Sequence, residues 1–159
     1  MAPLSWLVGR YAALPSVARW SGVAAEMATL WWLSSGPIGA PHSSLWRAFL
    51  HNAAHVVAYA AMGAMALLAL CGEARPGSRA RLAAVVVASA YGAIDELHQR
   101  HVPGRFAAWS DFGSDFSGAM LGVAVVLVLR HGEHPARRHA FVAFALGIGC
   151  SLLGTLTSW

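Results

Sequence analysis

Histidine and carboxylate side chains recur at helical spacing in two separate parts of the sequence. His51, His55 and Tyr59 follow one another at intervals of four residues, and Asp111 and Asp115 repeat that interval further along the chain. Residues four apart lie on one face of an α-helix, so each set presents its polar groups to the same neighbour. Such groups can bind a polar ligand, transfer protons as general acids or bases, or hold a metal ion.

A third polar group lies between these two sets. Asp95, His98 and Gln99 share one helix face, Glu96 lies on a neighbouring face, and Arg105 follows in the next loop. A guanidinium group suits a phosphate or another anionic group. We therefore expect one ligand-binding cluster where the three segments meet. Its candidate members are His55, Tyr59, Asp95, Glu96, Gln99, Arg105, Asp111 and Asp115.

Catalysis and metal binding are the weaker interpretations of this cluster. A zinc site built from its histidines and carboxylates would need ligands from two helices, and the glutamate arrangement of zincins is missing. The residues considered for it are His51, His55, Asp95, Glu96 and His98. The sequence has no nucleophile elbow, no serine or cysteine beside a base, and no Walker-type loop. We therefore expect no metal ion and no cofactor, and an enzyme is the less favoured class.

Several residues of this region also have a simple structural interpretation. Asp111 suits the N-cap of a helix, because its short side chain can accept a backbone hydrogen bond there. Residues 103–104, Pro-Gly, fit a tight turn. Ser114, Gly118 and Gly122 form a ribbon of small residues, which is typical of close helix packing.

The composition indicates a membrane protein. Of the 159 residues, 57% are hydrophobic and only 11% are charged, with a mean hydropathy of +0.54. A soluble domain carries roughly 25% charged residues. A short chain with less than half that fraction has too little polar surface to cover a water-facing globule. Lipid tails can cover the apolar surface instead.

Five apolar runs have about the length that a bilayer core requires. They are Val17–Gly36, Asn52–Cys71, Leu82–His98, Phe112–Leu129 and Ala140–Trp159. We expect an all-α, polytopic membrane helix bundle of about five transmembrane helices in a single domain, residues 1–159. Glu26 interrupts the first run and is expected to face the bundle and pair with a histidine or arginine. Residues 1–19 read as a short amphipathic segment at the membrane interface.

The distribution of arginine predicts the orientation of the chain. All eleven basic residues are arginines, since the sequence contains no lysine. With the N-terminus in the cytoplasm, eight arginines lie in inside segments and three in outside segments. Cytoplasmic loops carry the excess of positive charge, so this orientation is favoured. It places the polar cluster near the outer leaflet and the C-terminus in the periplasm.

The central part of the chain resembles the VanZ-like family. Glu96-x-x-Gln99, then Pro103-Gly104-Arg105, then Asp111 with Gly118 and Gly122 match the family's downstream motif. Upstream, His55 and Tyr59 resemble the family's His-Phe-x-x-Tyr segment, and Leu33-Ser34 with Pro37 resembles the end of its first helix. The resemblance covers about residues 25–130 and implies a core of four helices. A run at about residues 140–159 would be an additional C-terminal helix.

Three positions depart from the family pattern. Asn52 stands where the family usually has lysine, Val56 where it has an aromatic residue, and Asp115 where it has asparagine. The exchanges at Asn52 and Asp115 make the site more acidic, which weakens an interpretation as an anion site. The resemblance implies a bacterial inner-membrane protein connected with the cell envelope, because the family is named for a protein that raises resistance to teicoplanin-type glycopeptides.

Three functions remain open at the level of sequence. The protein could bind or handle an anionic lipid or lipid-linked envelope precursor at the outer leaflet, with Arg105 on the phosphate. It could be an accessory or structural subunit of a larger membrane protein complex. It could be a lipid-headgroup enzyme with Glu96 or His55 as general base. The expected partners are membrane lipids, a lipid-linked precursor or a membrane protein complex, and no nucleic acid.

Overall fold

The computed structural model describes residues 2–36, 45–103 and 109–157 of the chain. These residues form six α-helices and no strand, in agreement with the predicted all-α class. The helices are α1 Ala2–Ala12, α2 Ser16–Ser35, α3 Leu45–Cys71, α4 Ser78–Gln99, α5 Trp109–His131 and α6 His134–Thr157. Each predicted apolar run overlaps one of α2 to α6. Most ends agree to within four residues, but α3 begins seven residues and α6 six residues before the predicted run. The predicted interfacial segment contains α1 and the start of α2.

Three of the described helices are long and apolar enough to cross a membrane, judged by length and composition. They are residues Phe49–Cys71 of α3, the whole of α5, and residues His134–Leu156 of α6. Helices α2 and α4 have similar lengths of 20 and 22 residues but do not reach that hydropathy. In α4 the polar C-terminal turn, with Asp95 and Glu96, lowers the average. A bundle with several membrane helices is therefore found, while the count of five remains a prediction.

The turns at one end of the bundle have local causes. Pro15 occupies the N-cap of α2, where a missing backbone N–H removes no intrahelical bond. Gly72 and Gly132 follow α3 and α5 with φ angles of +56° and +61°, which glycine adopts without a Cβ clash. Arg19 donates to two carbonyl oxygens in the turn between α1 and α2.

The two ends of the bundle differ in charge. Where α3 and α5 finish, Arg81 and Arg75 both bind Glu133, with nitrogen–oxygen distances of 2.7 and 3.3 Å. This end, which also contains Arg19, is called the arginine end. The opposite end, where α3 and α5 begin and α2 and α4 finish, is called the site end. It contains Ser34, His55, Asp95, Glu96 and Asp115.

Helices α3 and α5 pack backbone to backbone at the centre of the bundle. A Cβ atom added to Gly118 would lie 2.5 Å from the carbonyl oxygen of Val56, and one on Gly122 would overlap the carbonyl oxygen of Ala60. Gly63 of α3 makes the reciprocal approach to α5. Of the predicted packing ribbon, Gly118 and Gly122 form the α3–α5 interface, whereas Ser114 contacts Ser151 of α6. The close contact brings His55 of α3 and Asp115 of α5 side by side.

Helix α6 covers the side of α5 that faces away from α4. Small buried residues make its inner face, with Ser151 Oγ 3.4 Å from Ser114 Oγ of α5. Its outer face carries exposed large apolar side chains, including Phe141 at 73% and Leu156 at 69% exposure. Acyl chains can cover such a face, as expected for a helix at the lipid boundary.

Glu26 does not make the expected ion pair. Its side chain is half-buried on α2, and its Oε2 atom has no hydrogen-bond partner among the described residues. The three ion pairs of the described chain involve Asp115 and Glu133 instead. The prediction that Glu26 pairs with a histidine or arginine is therefore wrong within this part of the chain.

Candidate functional site

A cavity of about 360 Å³ lies at the site end between α2, α3 and α4. Its lining contains both apolar and polar residues. The apolar residues are Leu30, Leu33, Ala54 and Ala58, and the polar ones are Ser34, His51, His55, Tyr59, Asp95 and Gln99. Four of the residues predicted for the cluster therefore line one cavity. These are His55, Tyr59, Asp95 and Gln99.

A histidine–aspartate pair joins α3 to α5 next to the cavity. His55 Nδ1 lies 2.9 Å from Asp115 Oδ1. Asp115 is 1% exposed, and burial of a carboxylate this deep requires a hydrogen-bonded or charged partner. Gly92 of α4 provides the space, because a Cβ there would lie 2.8 Å from Asp115 Oδ2. This contact joins two of the polar helix faces that the sequence spacing identified, one on α3 and one on α5.

Asp95 is held by hydrogen bonds to both of its carboxylate oxygens. Ser34 Oγ of α2 donates to Oδ1 at 2.5 Å, and Gln99 Nε2 donates to Oδ2 at 2.9 Å. The bond from Ser34 connects α2 to α4 across 61 positions of sequence. Ser34 was not among the predicted site residues, because a single serine near a helix end does not by itself indicate a binding site.

Tyr59 lies between the histidine–aspartate pair and α4. Its ring stacks on that of His55 with centroids 6.4 Å apart, and it lies 6.5 Å from the ring of Tyr91. The side chain is 1% exposed, yet its hydroxyl oxygen has no hydrogen-bond partner among the described residues. The same holds for Asp115 Oδ2. Buried polar atoms without partners cost free energy, so both atoms have bonding capacity available for a ligand or water.

Glu96 completes a compact group of possible metal ligands. His55, Glu96 and Asp115 each offer one ligand atom, and these atoms all lie within 4.8 Å of one another. Glu96 is 7% exposed and comes from α4, so the three residues belong to three different helices. The zinc site considered from the sequence took its ligands from two helices only and did not include Asp115.

Asp111 lies apart from the cavity, on the side of α5 that faces α6. A Cβ added to Gly154 of α6 would lie 3.3 Å from Asp111 Oδ1 and 2.9 Å from Asn52 Nδ2. Asn52 in turn donates to the backbone oxygen of Ser151 and to Thr155 Oγ1. Asp111 stands in the first turn of α5, two residues after its start at Trp109, rather than at the cap. Its negative charge there still interacts favourably with the positive end of the helix dipole.

Two predicted features fall on residues 104–108, outside the described part of the chain. They are Arg105 and the glycine of the Pro103–Gly104 turn. Among the residues that line the cavity in the described chain there is no arginine, while Asp95 is itself a lining residue. Glu96 and Asp115 are buried nearby. The described residues in and around the cavity are therefore rich in carboxylates.

Aromatic and polar contacts also join α2 to α4, two of the helices that line the cavity. The ring of His98 stacks on Trp31 with centroids 3.8 Å apart, and His98 Nε2 lies 3.0 Å from Ser35 Oγ. The Tyr91 hydroxyl donates to the backbone oxygen of Met27 at 2.5 Å. These contacts hold α2 against α4 and so maintain the cavity wall.

The long apolar helices, the lipid-facing surface of α6 and a buried polar cavity at one end define a polytopic α-helical membrane protein. A family model described as VanZ/LLP1 matches residues 10–130. The chain therefore belongs to the VanZ/LLP1 family, and the matched region runs from the last turns of α1 to the last turn of α5. Helix α6 lies beyond the match. Neither a curated protein nor a solved structure matches the chain.

Proposed function

We propose that the protein binds the headgroup of an anionic lipid or a lipid-linked envelope precursor in the cavity between α2, α3 and α4. The observation that carries this proposal is the cavity itself, whose lining combines apolar residues with polar ones. Its volume of about 360 Å³ falls in the range of small-molecule sites, roughly 300–1,000 Å³. A lipid likewise combines an apolar chain with a polar head.

The lining suggests how such a lipid would lie. Leu30 and Leu33 of α2 would contact the acyl or polyprenyl chain, while His51 and Gln99 would contact polar atoms of the headgroup. Arg105, in the loop between α4 and α5, would supply the positive charge for a phosphate. Glu96 would orient that arginine, while Asp111 faces α6 and would not.

In the proposed orientation the N-terminus lies in the cytoplasm and the site end at the outer leaflet of a bacterial inner membrane. The arginine end then faces the cytoplasm, as the excess of positive charge in cytoplasmic loops requires. Exposed tryptophans at the site end, Trp32, Trp46 and Trp109, suit the membrane–water interface. The C-terminus of α6 would be periplasmic.

Native mass spectrometry of the full chain in a mild detergent tests the proposal. Ala54→Phe places a large ring in the cavity, and Ala61→Phe makes the same change at an exposed position of α3 that does not line it. We expect a retained phospholipid or lipid-linked species in the wild type and in Ala61→Phe, and its loss in Ala54→Phe. Equal retention in both variants would contradict the proposal.

A second pair of variants examines the predicted arginine contact. Arg105→Ala should reduce lipid retention at least several-fold, whereas Arg100→Ala, an exposed neighbour at the end of α4, should not. Unchanged lipid retention in Arg105→Ala would show that Arg105 does not contribute to lipid binding. A bare chain that is recovered only with a stoichiometric protein partner would favour an accessory subunit instead.

The proposed cellular role is in the envelope, with an effect on susceptibility to teicoplanin-type glycopeptides. Deletion of the gene in its host should lower the inhibitory concentration of teicoplanin, and the wild-type copy should restore it. Ala54→Phe should fail to restore resistance at equal membrane abundance, while Ala61→Phe should succeed. Restoration by both variants would separate any resistance role from the cavity.

A further inference from the structure

Three helices bring one imidazole and two carboxylates together beside the cavity, which His55 also lines. The ligand atoms of His55, Glu96 and Asp115 lie within 4.8 Å of one another. A tetrahedral zinc ion with bonds of about 2.1 Å needs its ligand atoms about 3.4 Å apart. Ligand atoms at the 4.8 Å limit would have to approach by about 1.4 Å. His55 Nδ1 and Asp115 Oδ1, which are 2.9 Å apart, would have to separate slightly, and side-chain rotation can provide both changes.

The unpartnered buried atoms beside this group are an independent sign of a ligand. Asp115 Oδ2 has no hydrogen-bond partner among the described residues, although Asp115 is 1% exposed. The Tyr59 hydroxyl is in the same situation. Both side chains lie against Gly92, because a Cβ there would be 2.8 Å from Asp115 Oδ2 and 3.2 Å from Tyr59 Cε1. Asp115 Oδ2 and the Tyr59 ring therefore lie close together beside Gly92.

The negative charge of the buried carboxylates in this region also favours a bound cation. Glu96 and Asp115 are both buried, at 7% and 1% exposure, and Asp95 lies on the same turn of α4 as Glu96. His55 is the basic side chain paired with Asp115. Buried carboxylates in a membrane protein are stable when they pair with positive groups or coordinate a metal.

We propose that His55, Glu96 and Asp115 bind one divalent transition-metal ion beside the cavity. One imidazole with two carboxylates is a ligand set that Zn²⁺ accepts, and Mn²⁺ is the alternative that harder oxygen ligands favour. Three protein ligands leave a coordination position open toward the cavity. If lipid binding is also correct, an anionic headgroup oxygen can occupy that position, and this last link depends on the proposed function.

Metal content of the purified full-length protein tests the site. The protein is treated with a chelator, dialysed against Zn²⁺ and analysed by inductively coupled plasma mass spectrometry. We expect one zinc per chain in the wild type and a loss of at least several-fold in Glu96→Gln, Asp115→Asn and His55→Gln. Two control variants should keep the wild-type content. Glu73→Gln changes an exposed carboxylate at the arginine end, and His101→Gln removes an exposed histidine just after α4.

Thermal unfolding provides a second readout that does not depend on metal counting. A metal that binds the folded state raises its stability by mass action. Added Zn²⁺ should therefore raise the thermal midpoint of the wild type and of both controls, but not that of Glu96→Gln. A wild type that takes up no more zinc than Glu96→Gln and Asp115→Asn would overturn the inference. Equal shifts in the controls and in Glu96→Gln would overturn it as well.

The outcomes for metal and for lipid can be told apart. Ala54 is not a proposed ligand, so Ala54→Phe should retain zinc while it loses lipid. Normal lipid retention without zinc would overturn the metal site and leave the proposed function intact. Zinc binding without any retained lipid would support the metal site and contradict the proposed function.

Discussion

The buried carboxylates at the site end differ in how their oxygens are bonded. Asp95 has a donor on each oxygen, from Ser34 and Gln99. Asp115 has one oxygen on His55 and one without a partner in the described chain. A fully bonded carboxylate stabilises the helix register, whereas a partly bonded one retains capacity for a ligand. Asp95 therefore has the character of a structural residue and Asp115 that of a binding residue.

Removal of the Ser34 hydroxyl tests the structural role of Asp95. Ser34→Ala leaves a buried carboxylate oxygen without its donor from α2, and we expect the free energy of unfolding to fall by about 1–3 kcal/mol. Ser21→Ala makes the same change at an exposed position of the same helix and should have almost no effect. Thermal or denaturant unfolding in detergent compares the two, and equal stability would show that the Ser34–Asp95 bond contributes nothing.

Glu133 at the arginine end should give a stability that depends on pH. The hydrogen bond from Arg81, with a smaller contribution from Arg75, lowers the pKa of the Glu133 carboxyl below its ordinary 4.5. A lowered pKa in the folded state stabilises the protein above pH 4.5, and this contribution disappears as the pH falls through the lowered value. Glu133→Gln should be less stable than the wild type at pH 7, and the difference should shrink as the pH falls below 4.5. A difference independent of pH would contradict this assignment.

At the scale of the elements, the contact between α3 and α5 decides where the polar residues meet. Gly118 and Gly122 let α5 approach the backbone of α3. A longer distance between these helices would separate His55 from Asp115. The small residues are thus as necessary to the site as its polar residues, although they touch no ligand.

Substitution of these glycines gives a direct test of the interface. Gly122→Ala places a methyl group on the carbonyl oxygen of Ala60, and such overpacking typically costs about 1–3 kcal/mol. Gly149→Ala is the matched control on α6, because a Cβ there meets nothing within 4 Å. We expect it to be neutral or to stabilise the helix by up to about 1 kcal/mol. Equal thermal midpoints for the two variants would contradict the close packing of α3 and α5.

The sequence predicted the helices and much of the site because both depend on local patterns. Apolar runs predict membrane helices, and polar residues four apart predict which side chains share a face. Ser34 and the involvement of Gly92 could not be predicted, since they depend on which helices are neighbours in space. The separation of Asp111 from the cavity has the same cause. Asp111 and Asp115 share a helix face by their spacing. However, α6 packs over the first turn of α5, so Asp111 lies against α6 and not in the cavity.

At the scale of the whole molecule, the account requires the site end to face away from the cytoplasm. Single cysteines in a background with Cys71 and Cys150 replaced by alanine can test this. Arg100→Cys at the site end and Glu73→Cys at the arginine end are both exposed positions. A membrane-impermeant maleimide should label Arg100→Cys in intact spheroplasts and Glu73→Cys only after permeabilisation. The opposite pattern would reverse the proposed topology.

The most direct test of the central claim is an electron cryomicroscopy structure of the protein in nanodiscs made from host lipids, with a bound antibody fragment to add mass. The account predicts density for a lipid headgroup between α2, α3 and α4, within hydrogen-bond distance of His51 or Gln99. The attached chain should leave the cavity past Leu30 and Leu33. A cavity that is closed, or that contains only ordered water on Asp115 and Tyr59, would contradict lipid binding and leave the polar cluster as a structural network.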